Sequence, residues 1–146
     1  MRGISEICFV LREKVHIKGF WFKRYNRAWQ ILVAGECDKI YGDSFERAGE
    51  EIHQIGNNVT IRFEQMDFGE KGTKSLVICG STPLEKNTII LKFAKDGVEE
   101  QRMVEFMGTK TKQSFEIEPI YGVNDVSLVF LPGSNFNFTS ICFCEA

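Results

Sequence analysis

The stretch Val126-Ser127-Leu128-Val129-Phe130-Leu131-Pro132-Gly133-Ser134-Asn135-Phe136-Asn137-Phe138-Thr139-Ser140-Ile141-Cys142-Phe143-Cys144 reads as strand, tight turn, strand. Residues 126–131 are apolar almost throughout, as expected of a strand buried on both faces. Pro132-Gly133-Ser134-Asn135 is turn chemistry: Pro fixes φ, Gly accepts positive φ, and Asn can bond its own backbone. Asn137 and Thr139 then alternate with Phe136 and Phe138. After Ser140 the apolar parity flips to Ile141 and Phe143, which predicts a bulge or burial on both faces. Two apolar strands this late in the chain must pair with strands already made. They are read as the closing strands of a β-sandwich.

Upstream, the β signals repeat. Residues 7–11, 15–17 and 20–22 are three short β-like runs. The segment 25–34 is compatible with helix or strand; Asn26 can cap a short helix, and the segment reads as a short helix or turn that runs into a strand over 31–36. Val59, Ile61 and Phe63 alternate with Asn58, Thr60 and Arg62, the pattern of a half-buried strand that ends in the turn cluster 67–72. Leu76 to Cys79 is a short buried strand. Ile89, Leu91 and Phe93 alternate with Thr88 and Lys92, although Ile90 interrupts the polar face. Asp96-Gly97 is a strong hairpin signal, with residues 98–107 as the partner strand. Phe115 and Ile117 alternate with Glu116 and Glu118, and residues 121–125 turn the chain into the last hairpin. The sum is about nine or ten short strands with little helix, an all-β jelly-roll sandwich. Residues 31–146 form this domain, and residues 1–30 are accessory strands or a tether.

Composition narrows the function. The chain has 146 residues, a formal net charge of −2, 43% hydrophobic and 26% charged residues. Thirteen Phe against two Trp and three Tyr point to a Phe-filled core rather than an amphipathic aromatic surface. The charge gives no electrostatic case for nucleic acid. No run approaches the roughly 18 apolar residues that span a bilayer. The N-terminal apolar run is too short and too charged for a secretory signal. The five cysteines (Cys8, Cys37, Cys79, Cys142 and Cys144) are odd in number and contain no CxxC, so they read as reduced thiols packed as small hydrophobes. A cytoplasmic protein is expected.

Catalytic patterns are weak. Only His16 and His53 are available as bases, and neither a Gly-x-Ser-x-Gly elbow nor a phosphate loop occurs. Acidic residues are plentiful, but a glycosidase also needs a deep cleft between two facing carboxylates. Sugar binding demands less: one or two exposed aromatic rings against a pyranose, with amides or carboxylates for its hydroxyls. Trp21, Tyr41 and Tyr121 are candidates for stacking. Glu36, Gln54, Asn57 and Asn137 are candidates for hydrogen bonding.

Several motifs carry a resemblance. Met66-Asp67-Phe68-Gly69, followed by Lys71-Gly72, is similar to the Val-Asp-Phe-Gly turn of family six carbohydrate-binding modules. The segment 136–143 is similar to that family's Phe-Asn-Leu-Asp-Trp-Phe-x-Phe strand, and Glu36 sits where an early strand carries Ala-Glu. Segments 40–45, 55–59, 81–89 and 130–136 resemble the non-catalytic sandwich domain appended to some bacterial family-two β-galactosidases. The resemblance implies a galactose-binding-domain-like jelly roll and a non-catalytic module attached to a glycoside hydrolase. Its ligand would be an oligosaccharide or galactoside, bound at the loop end or in a cleft on a sheet face. The alternative role is a structural domain that packs on a catalytic domain or subunit. Glu36 and Asn137 match the family's loop site. Its two aromatic positions fall near His53-Gln54 and near residues 110–112, where this chain has no aromatic. The expected carbohydrate-binding set is Glu36, Tyr41, Gln54 and Asn137. Many members hold a structural calcium through the early Glu and an Asp that corresponds to Thr139. A neutral hydroxyl there removes a charged ligand, so no metal or other cofactor is expected.

Overall fold

The closing hairpin supplies the central strand of each of two antiparallel sheets. The structure is a computed structural model that describes residues 26–146 together with residues 8, 10, 12–14, 16, 18 and 19. Most of the expected N-terminal strand residues, and Trp21, lie outside the described residues. Among the described residues there are eleven strands: β1 (Leu32–Val33), β2 (Lys39–Tyr41), β3 (Glu46–Ala48), β4 (Glu51–Ile55), β5 (Val59–Asp67), β6 (Thr73–Ser81), β7 (Lys86–Lys95), β8 (Val98–Met107), β9 (Lys112–Ile120), β10 (Val123–Phe130) and β11 (Phe136–Glu145). The first sheet runs β3-β4-β11-β6-β9, with β1 also paired to β11. The second runs β2-β5-β10-β7-β8. The fold is the expected all-β sandwich.

The two sheets close on a Phe-rich interior. Phe63, Phe68, Phe93, Phe106, Phe130, Phe136, Phe138 and Phe143 are buried there among aliphatic side chains. Phe68 follows the turn motif read from the sequence. Its ring makes edge-on contacts with Trp29, Phe93 and Phe143 at centroid distances of 5.7, 6.3 and 5.0 Å. Asp67 holds the turn by accepting the Gly69 N–H at 3.0 Å. The Asp96-Gly97 hairpin is present, with φ of 50° and 80° at the two positions, as a type I′ turn requires.

Three expectations are corrected. The segment 126–131 is not buried on both faces. Val126, Leu128 and Phe130 point inward while Ser127 and Val129 face outward, because each sheet of a two-layer sandwich has only one inner face. The expected strand over 31–36 shrinks to β1 and a single 3-10 turn, Ala34–Glu36. Upstream of it the chain takes the turn, one of the two expected alternatives, with Asn26 Oδ1 accepting the Ala28 N–H at 3.0 Å. Ala28 and Trp29, assigned to the accessory segment, pack on the core. The parity flip in β11 is a bulge: the register shifts between Phe138 and Ser140, and Ser140 and Ile141 are both buried.

Candidate functional site

Two of the four expected sugar ligands meet. Along β4 and β11, Phe136 pairs with Ile55 and Phe138 with Ile52, so His53 and Gln54 together oppose the single residue Asn137. This is a β-bulge, and Gln54 occupies its left-handed position at φ 52°. The Gln54 N–H donates to Asn137 Oδ1 at 2.9 Å, and its side-chain amide donates to Glu46 at 2.9 Å. Asn137 therefore spends its carbonyl oxygen on a backbone group.

Beside it, Thr139 donates to Glu51 Oε1 at 3.1 Å, and His53 Nε2 lies 2.6 Å from Glu51 Oε2. The bond to His53, then that to Thr139, holds the Glu51 carboxyl below the usual carboxylate range. The carboxylate sits between the hydroxyl and the imidazole, whereas a nucleophilic triad needs the imidazole in the middle. The residues do not fit the calcium that the resemblance implies. Of the two positions the resemblance implies, Thr139 supplies no charged oxygen and donates its hydroxyl to Glu51, and Glu36 lies elsewhere. Glu36 lines a separate recess of about 140 Å³ with Arg27, Gln30, Ile31, Leu32 and Phe63. Among the described residues no group of three His, Cys, Asp or Glu is placed to hold a metal ion. The five cysteines are free thiols, and burial pushes those of Cys37 and Cys142 up, away from the reactive thiolate.

Tyr41 lies on the other sheet. It ends β2, is 50% exposed, and heads a row of outward side chains that crosses every strand of the second sheet. Register places Tyr41 opposite Thr60, Thr60 opposite Val129, Val129 opposite Ile90, and Ile90 opposite Met103. Met103 is 68% exposed. The next row is Lys39, Arg62, Ser127, Lys92 and Gln101. Its cations are compensated. Lys39 pairs with Glu64 at 2.9 Å, Arg62 with Asp125 at 2.6 Å, and Lys92 with Glu99 at 2.9 Å. Glu64 and Asp125 in turn hold the Lys39 ammonium and the Arg62 guanidinium above their ordinary pKa, chiefly through these hydrogen bonds. The face is thus an apolar strip beside a lattice of paired hydrogen-bonding groups. Ile90 and Val129 left a trace in the sequence, as apolar residues at outward parity. Thr60, Met103 and the register that aligns all five left none.

The remaining candidates are structural. Asn57 Oδ1 accepts the Gly133 N–H at 2.6 Å and ties two loops together. Tyr121 stands half exposed over Gly72, at the opposite end of the sandwich from those loops.

No family model and no curated protein sequence matches the chain. Solved structures do. A family 6 carbohydrate-binding module from Clostridium stercorarium, in complex with cellobiose, matches with TM-score 0.68 and 23% identity, over 82% of this chain and 95% of that one. A family 6 module from Clostridium cellulolyticum, in complex with xylose, matches with TM-score 0.66 and 20% identity, over 81% and 98%. A family 43 arabinoxylan arabinofuranohydrolase from Bacillus subtilis matches with TM-score 0.63 and 18% identity, over 86% of this chain and 28% of that enzyme. At these identities the likeness establishes the fold: the chain has the sandwich of family 6 carbohydrate-binding modules.

Proposed function

We propose that the protein is a non-catalytic carbohydrate-binding module whose ligand, an oligosaccharide, lies on the outer face of the second sheet. The observation that carries this reading is the row from Tyr41 to Met103 beside compensated polar pairs. A sugar ring presents C–H groups on one face and hydroxyls at its edge, and this surface offers a partner to each. The modules bound to cellobiose and xylose support the choice of ligand class. The arabinofuranohydrolase, of which a similar sandwich forms part, supports attachment to a glycoside hydrolase. The narrower expectation, a β-galactosidase as that enzyme and a galactoside as ligand, rests on the motif resemblance in segments 40–45, 55–59, 81–89 and 130–136.

The test is calorimetric titration with galacto-, xylo- and β-gluco-oligosaccharides, repeated with Tyr41→Ala. Binding that falls about tenfold or more on loss of the ring supports the reading. Absence of binding to every saccharide at millimolar concentration rejects it. It would favour the second reading, a domain that packs this face on a catalytic domain or subunit. The exposed aliphatic end of the row at Met103 is the feature that suits that role.

A further inference from the structure

The outer face of the second sheet ends, on its loop side, in a recess of about 190 Å³. Thr88 in β7 and Leu131 just past the end of β10 line it, two residues along the chain from Ile90 and Val129. Leu84, Lys86, Asn87, Pro132 and Ser134 line it as well. The recess is therefore continuous with the apolar row, one side-chain repeat away. We infer that this recess is a branch-reading subsite, which receives a single neutral sugar unit carried as a side branch on the glycan bound across the sheet. The inference rests on the glycan-binding reading of that face.

Three observations point the same way. The first is size. Pockets that hold a whole small ligand occupy roughly 300–1,000 Å³, so this recess suits one ring rather than an independent ligand.

The second is rigidity. Asn87 is 2% exposed, and its Oδ1 accepts the Asn135 N–H at 3.0 Å. Thr82 donates to the Asn135 carbonyl at 2.5 Å and accepts the Leu84 N–H at 3.2 Å. Asn57 accepts the Gly133 N–H from the opposite loop. Both loops are fixed before any ligand arrives, which lowers the ordering cost of binding.

The third is chemistry. Leu84, Leu131 and Pro132 supply the aliphatic part of the lining, and Asn87, Thr88, Ser134 and Lys86 supply its polar part. The Asn87 amide nitrogen makes only long contacts, 3.3 Å to the Thr88 carbonyl and 3.4 Å to Ser134 Oγ. The charge of Lys86 is matched by both oxygens of Glu105 at 3.0 and 3.2 Å. An uncharged polyhydroxyl group fits such a lining better than a sulfate or uronate.

The experiment titrates the full chain with two matched pairs: xylotetraose against its singly arabinosylated form, and mannotetraose against its singly galactosylated form. The expected result is that the branched member of at least one pair binds about fivefold or more tightly than its linear partner. Leu84→Trp, which fills the recess, and Leu84→Ala, which removes a wall, should each bring that ratio toward one. Thermal melting of both variants checks that they fold. Linear and branched members binding equally in the wild type, in both pairs, would overturn the subsite and leave the sheet-face reading standing. Failure of all four to bind would overturn the subsite, and the galacto- and β-gluco-oligosaccharide titrations then decide the sheet-face reading separately.

Discussion

The backbone N–H of Gln54 donates to the side-chain oxygen of Asn137 across 83 residues of sequence, at 2.9 Å. The second sheet repeats the arrangement. Val126 pairs with Phe63 and Asn124 with Met66, so Glu64 and Gln65 oppose the single residue Asp125. Gln65 lies at φ 59°, and its N–H donates to Asp125 Oδ1 at 2.8 Å. Each sheet thus carries a bulge with glutamine in the left-handed position, and each bulge is pinned by a side chain from the closing hairpin. Asn137, read from the sequence as a sugar ligand, has a structural duty that Asp125 shares.

Asn137→Ala should therefore cost about 1 kcal/mol of folding stability, the usual worth of such a hydrogen bond. Gln54→Gly should act in the opposite direction, because a left-handed conformation costs a non-glycine residue roughly 1 kcal/mol. Urea denaturation of the two variants checks both signs. A destabilised Q54G variant would show that the Glu46 contact outweighs backbone strain.

Asp125→Ala should be more damaging than Asn137→Ala. Asp125 accepts from Gln65 N–H and also from the Arg62 guanidinium at 2.6 Å. Removing it leaves a partly buried cation without this acceptor, and a loss of about 2 kcal/mol is expected. Equal midpoints for the two variants in the same urea titration would refute this ordering.

Phe68→Ala should be the most destabilising single change of this set. The ring is 1% exposed and touches three other aromatic rings. Truncation of a buried Phe costs about 3–5 kcal/mol. Calorimetric unfolding would measure it, and Phe68→Leu should recover a substantial part.

The Glu51 carboxyl, held low by His53 and Thr139, contributes to acid sensitivity. A carboxyl whose folded pKa is depressed stabilises the protein above its unfolded pKa of about 4.3, and that contribution disappears as pH falls through the folded pKa. Wild-type protein should lose stability over this acidic window more steeply than Glu51→Gln. Parallel melting-temperature profiles of the two proteins below about pH 5 would contradict the assignment.

Much of the sandwich is legible in the sequence, for a physical reason. β5, β7, β9 and β11 each bury one face, so alternation exposes them, and Asp96-Gly97 fixes one hairpin through its turn conformation alone. The short strand β3, Glu46-Arg47-Ala48, is exposed at all three positions and carries no periodic signal. Its existence depends on pairing with β4. β8 opens with Val98-Glu99-Glu100-Gln101, all exposed, and is recognisable only from the turn that precedes it. The candidate site is harder to read for a related reason. Its row draws one residue from each of five strands, and only the register between strands brings Tyr41 into line with Met103. Glu36, Tyr41, Gln54 and Asn137 look like one set when matched position by position. In space, Gln54 and Asn137 form one pair, while Glu36 and Tyr41 belong to different surfaces.

The placement of β10 and β11 at the centres of both sheets also governs how the protein is made. β10 bonds to β5 and β7, and β11 bonds to β1, β4 and β6. On a ribosome, the flanking strands emerge first and have no central partner to join. The second sheet cannot close until residues 123–130 have left the exit tunnel, nor the first until residues 136–145 have. The domain must therefore assemble after synthesis of its last strand, through long-range pairings of the kind that fold slowly. Until then its unsealed strands are open to chaperones and to neighbouring nascent chains, and a truncation before β11 leaves the first sheet as two halves without a centre.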